Sequence, residues 1–146
     1  MFILSEISTA DFKGKIPEKG GIKLFDAFEE FFKIHALNDS LGVLQSQYVM
    51  SMYNTIRNTD RYKDLLLRHQ VIKYDKEKEE QFSAITIDLP DGSICVSFRG
   101  TDDTIIGWKE DCNLSVYETV PAQKDGVEYL VSESMNDKTS RIRICG

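Results

Sequence analysis

The residue types best suited to chemistry fall in one short stretch, Arg99-Gly100-Thr101-Asp102-Asp103, which runs on through Trp108 to Glu110 and Asp111. Gly100 carries no Cβ, so the backbone there can turn closely past a ligand. Thr101 adds a backbone N–H and a hydroxyl. Read alone, they suit a plain strand exit with a capping side chain. Arg99 can pair with Asp102, Asp103 or Asp111, an exposed pairing worth little. Clustered carboxylates suit a hard cation by type. The order of Asp102, Asp103, Glu110 and Asp111 lacks loop-like ligand spacing, however, so no metal and no cofactor is expected. Trp108 is the sole tryptophan and reads first as a core anchor. Asp111 reads as a tie between the loop and neighbouring backbone N–H groups.

Other reactive groups are sparse. The chain has two histidines. His35 falls on an apolar helical stripe, where a satisfied core imidazole is the usual outcome. His69 follows an expected helix end, where a positive imidazole would favour the local dipole. Cys95, Cys112 and Cys145 are odd in number, widely spaced and without a CxxC, which fits reduced, mostly buried thiols. Cys145 ends an expected strand, a position from which a thiol could face an open cleft. The serines stand in ordinary polar settings.

These residues must be positioned by a mixed α/β framework. The first 20 or so residues, with Gly14, Pro17, Gly20 and Gly21, read as an irregular lead-in. Leu24, Phe25, Phe28, Phe31, Phe32 and His35 then share one face at helical spacing, predicting a helix from about Ile22 to Ala36. Asn38, Asp39 and Ser40 offer caps for a second helix. Its apolar face carries Leu41, Leu44, Tyr48, Val49, Met52 and Ile56. A short third helix is expected through Tyr62, Leu65 and Leu66, followed by a short strand around Val71, Ile72 and Tyr74. The charged run from Asp75 to Glu80 reads as a solvated turn. Phe82 to Leu89 alternates, Pro90-Asp91-Gly92-Ser93 turns, and Ile94 to Phe98 returns as the second strand of a hairpin. Pro121 opens a helix to about Asn136, with Val127, Leu130, Val131 and Ser134 expected on its inner face. Arg141 to Cys145 is the last strand. Strand, loop, helix and strand from Phe98 to Ile142 suit a right-handed crossover between parallel strands. The expectation is one domain over 1–146, mainly helical to about 68 and mixed sheet and helix over 69–146.

Bulk properties bound the function. With 41% hydrophobic residues and a net charge of −6 spread along the chain, there is no basic stripe for nucleic acid or an anionic membrane surface. No run approaches the roughly 20 apolar residues of a membrane span. Met1-Phe2-Ile3-Leu4 gives way at once to Ser5 and Glu6, unlike a signal peptide. A cytoplasmic location is the default expectation.

The segment Cys95-Val96-Ser97-Phe98-Arg99-Gly100-Thr101-Asp102-Asp103-Thr104-Ile105-Ile106-Gly107-Trp108-Lys109-Glu110-Asp111 resembles the class 3 lipase group of α/β-hydrolases, and more closely the bacterial Mbeg1-like family. Val120-Pro121-Ala122-Gln123 with its helix, and Ala10-Asp11-Phe12 through Pro17-Glu18, are similar to that family too. The resemblance implies a serine hydrolase with an ester or lipid-like substrate, built on an α/β-hydrolase fold of which these residues form the N-terminal portion. It gives Thr101 the role of oxyanion-hole donor, supported by Gly100, Arg99, Asp102, Trp108 and Asp111. Family catalysis also needs a serine in a G-x-S-x-G elbow and a later acid and histidine. The sequence contains no G-x-S-x-G. By resemblance, Arg141 to Cys145 is the strand leading into that elbow and Gly146 its first glycine. The expected outcome is a chain that is inactive alone; a non-catalytic binding or interaction domain derived from the same fold is the alternative. A sheet left open at this strand is expected to self-associate through its edge or apolar face.

Overall fold

A computed structural model describes residues 2–34, 43–75, 77, 80–100, 109, 112–113, 115–136 and 141–146. Its elements are α1 (Phe2–Ile7), β1 (Ile22–Lys23), α2 (Leu24–Ile34), α3 (Val43–Ile56), β2 (Leu66–Asp75), β3 (Glu80–Asp88), β4 (Ile94–Phe98), α4 (Pro121–Asn136) and β5 (Ile142–Cys145). The five strands form one sheet in the order β1-β2-β3-β4-β5. The first three pairings are antiparallel. The last, β4 with β5, is parallel, in the register Val96 to Ile144 and Ser97 to Cys145. The fold is α/β.

Both faces of the sheet are covered, which explains why β3 is buried along most of its length instead of alternating. On one face Leu67, Ile85, Ile87, Cys95 and Cys145 pack against Ile7 of α1, Leu24, Ala27, Phe28 and Phe31 of α2, and Val49, Met52 and Ile56 of α3. On the other, Phe82, Ala84 and Val96 meet Tyr129 of α4, with Phe98, Leu130 and Ile142 around them. The β3–β4 hairpin closes as its turn residues require. Gly92 takes φ +77, a conformation open to glycine and costly for other residues. The Asp91 carboxylate accepts hydrogen bonds from Ser93 N and Oγ at 3.0 and 2.5 Å.

Four local expectations need correction. Residues 2–7 are helical, so the lead-in is only partly irregular: Ile7 is fully buried in the larger core cluster and that burial stabilises a turn and a half too short to persist alone. The helix over Phe25 begins at Leu24, because Ile22 and Lys23 pair with Leu67 and Leu66. The expected third helix is only a 3-10 turn, Asp60–Tyr62. Leu66 instead opens a ten-residue strand, much longer than the one read around Val71. Pairing with β3 from Leu66 to Asp75, interrupted at His69, outweighs the weak local preference of this stretch for helix.

The fourth correction is the rotation of α4. Its limits match expectation, but its buried residues are Tyr129 and Glu133, while Val127 and Val131 are 62% and 45% exposed. Tyr129 and Glu133 stand one turn apart and carry the polar groups that β2 and β3 must satisfy. Burying them with their partners wins over burying two valines. An ion pair from Lys73 Nζ to Asp125 Oδ2, 2.6 Å, fastens the helix to β2.

Candidate functional site

Two places in the fold carry chemistry. The first is the end of the parallel pair. β4 finishes at Phe98, and Arg99 N donates to Ser83 O at 2.9 Å, holding the chain straight as it leaves the sheet. Gly100 is exposed, and a Cβ placed on it would meet nothing within 4 Å. On the neighbouring strand Gly146 follows Cys145, and a Cβ there would stand 3.4 Å from Phe98 O. The carboxyl ends of β4 and β5 therefore lie side by side, the position at which open α/β sheets bind ligands. Thr101, Asp102, Trp108 and Asp111 lie outside the described residues, as do Asp103 and Glu110. So do the partners expected for Arg99.

Below this end the two strand cysteines meet. Cys95 Sγ and Cys145 Sγ are 3.3 Å apart, both buried and neither in a disulfide. Cys145 thus points into the core and not into a cleft. The Cys95 thiol is pushed up by its contact with Cys145 and by burial. Its S–H in turn draws the Cys145 thiol down to about 6, helped by Ser97. Two of the three free thiols are thus buried, as expected, and Cys112 is the exposed one.

The second place was missed by sequence reasoning. His69 does not follow a helix end; it lies inside β2, at a bulge where the register shifts between Arg68 and Gln70. Its φ of 48 makes it the only positive-φ residue other than glycine among the described residues. A left-handed histidine costs of order 1–3 kcal/mol, and several contacts hold it there. Tyr129 Oη donates to the His69 carbonyl and is 2.9 Å from Thr86 Oγ1. The imidazole stacks on the Tyr129 ring, centroids 4.9 Å apart and 19° between planes. His69 Nδ1 pairs with Oε1 of Glu133, whose side chain is 3% exposed. Burial holds the Tyr129 phenol protonated, with its pKa raised.

The imidazole borders a cleft of about 470 Å³, between the β2–α4 corner and the lead-in segment, whose wall includes Lys13, Glu18, Arg68 and Asn136. Gln70 also lines this cleft. Its amide accepts from Phe12 N and donates to Ala10 O, both at 2.8 Å, pinning the lead-in to β2. The sequence carries only a polar interruption here, and its meaning comes from the fold. The polar triple Arg68-His69-Gln70 interrupts an apolar strand, and Leu67 and Val71 belong to core clusters on opposite faces. An even spacing should keep them on one face, so a residue must be inserted between them. His35 lies outside the described residues.

The model of the Mbeg1-like family matches residues 56–146, more than half of the chain. This chain is a member of the Mbeg1-like family. The match begins at the last residue of α3 and takes in β2 through β5 with α4, so the strand exit at Gly100 and the bulge at His69 both lie within the part shared with the Mbeg1-like family. Comparison with curated proteins and with solved structures finds no match. Among the described residues, no helix is long and apolar enough to cross a membrane.

Proposed function

We propose that this Mbeg1-like chain supplies the oxyanion half of a lipase-like serine hydrolase, on an incomplete α/β-hydrolase fold. The observation that carries this is the pairing of the open Gly100 exit with the end of β5, across a parallel pair joined by α4. In such a site the Thr101 N–H, just past Gly100, faces the oxygen on which charge develops. The serine would stand at the end of the adjacent strand. Because no G-x-S-x-G is present in the 146 residues, they do not perform this reaction alone.

The test compares residues 1–146 with the product of the source gene's complete reading frame. A product that extends past residue 146 is expected to hydrolyse short-chain p-nitrophenyl esters and to be labelled by a serine-directed fluorophosphonate. Thr101→Pro, which removes the backbone donor, should lower kcat by about 100- to 1,000-fold. Residues 1–146 should show no fluorophosphonate-sensitive turnover. A longer protein that takes no label, or an unchanged kcat in Thr101→Pro, contradicts the proposal.

A second reading, a non-catalytic interaction domain, is favoured by one surface. Val127, Val131 and Met135 form an exposed stripe at i, i+4 and i+8 along α4, and Ile144 on β5 is 52% exposed. Burying this surface between two copies would remove it from water and cover the outer edge of β5. Light scattering of residues 1–146 should then show association that rises with concentration and weakens in Val131→Glu. A clean monomer over a wide concentration range would rule this out.

A further inference from the structure

The oxyanion site proposed above makes no use of the cleft beside His69, which lies two strands away from β4. We propose that this cleft is a separate hydrolytic site, in which His69 Nε2 acts as general base for attack of water on a small carboxylic ester. Glu133 is the positioning residue.

Three features of the chain point this way. The bulge spends an extra residue to aim one side chain out of the ladder, a device that re-directs side chains beside active sites. The residue so aimed is a histidine whose backbone carbonyl accepts from Tyr129 and whose ring is held at its face and at Nδ1. In the arrangement proposed, Glu133 Oε1 accepts the hydrogen bond from Nδ1, which leaves the lone pair on Nε2. Among the described residues Nε2 has no hydrogen-bond partner, and the half-exposed ring faces the cleft. A buried carboxylate orienting an imidazole toward an open volume is the arrangement general-base catalysis needs. A volume of about 470 Å³ suits a small molecule.

The step balances without any further reactant. Nε2 takes a proton from water as the water oxygen bonds to the acyl carbon, and the carbonyl oxygen becomes an oxyanion. Lys13 places positive charge in the same wall, beside Arg68, whose Nε pairs with Asp88 Oδ1 at 2.7 Å. Collapse of the intermediate breaks the bond to the leaving alcohol, which recovers the proton from Nε2. Water and ester become acid and alcohol.

The probe is p-nitrophenyl acetate with residues 1–146. Saturable hydrolysis, unaffected by a serine-directed fluorophosphonate, is expected. His69→Asn should reduce it to the buffer background; asparagine tolerates the left-handed backbone, so circular dichroism and thermal unfolding should show an intact fold. Glu133→Gln should lower kcat by about 100-fold with KM unchanged, a split that loss of a merely structural tie would not produce. Equal rates for the parent chain and His69→Asn overturn the proposal. Turnover that fluorophosphonate abolishes would also overturn it, and would contradict the nucleophile-free reading of the β4–β5 end as well. A failure of Thr101→Pro in the longer protein leaves the His69 result untouched, so the two proposals fail separately.

Discussion

Replacing Phe28 by alanine is expected to lower the stability of the chain by about 3–5 kcal/mol, measured as a shifted urea midpoint at unchanged slope. Phe28 lies on α2 with no exposed surface. Its ring meets Phe12 edge-on at 5.2 Å, Tyr53 at 5.3 Å and Phe32 in a stack at 6.0 Å. One side chain therefore joins the lead-in, α2 and α3. Neighbours drawn from three separate segments cannot all move in to fill the space, so most of the cavity persists. Against a typical total of about 5–15 kcal/mol, the loss should leave a visibly marginal protein. A cost under about 1 kcal/mol would show that the helical layer collapses around the site and is less rigid than described.

Gly21→Ala should be nearly as damaging, by about 2–3 kcal/mol, for a different reason. A Cβ at Gly21 would stand 2.6 Å from Leu66 Cγ and 2.8 Å from the Leu67 carbonyl oxygen. The leucine side chain can turn away. The carbonyl belongs to the backbone of β2, and moving it disturbs the pairing of Ile22 and Lys23 with Leu67 and Leu66. The same displacement would strain the bulge two residues on, so amide exchange around His69 should quicken along with the fall in the thermal midpoint. If the variant unfolds at the parent temperature, the close approach of these segments is wrong.

Both outcomes turn on features that differ in how far the sequence reveals them. The aromatic face of α2 was legible because Leu24, Phe28 and Phe31 repeat at helical spacing, and all three are buried. The β3–β4 hairpin was legible because Pro90-Asp91-Gly92-Ser93 is a turn by local chemistry alone. Pro121 announced the start of α4 for the same reason. In each case the deciding interaction joins residues a few positions apart, so a short window contains it.

The length of β2, the rotation of α4 and the His69 cleft were decided only in three dimensions. Leu66 is drawn into a strand by Asp88, its partner across the sheet, and no local pattern around Leu66 registers that pairing. Valines at 127 and 131 look like an inner face until Tyr129 and Glu133 find Thr86 and His69 on the sheet. The sequence by itself determined which family the chain belongs to, where the Pro90–Ser93 turn falls and that no G-x-S-x-G elbow lies within it. Only the tertiary structure brought His69 to Glu133 and Cys95 to Cys145, across 64 and 50 positions. The physical reason is that a buried polar group must find a partner wherever the fold offers one, and that choice is made between elements, not within them.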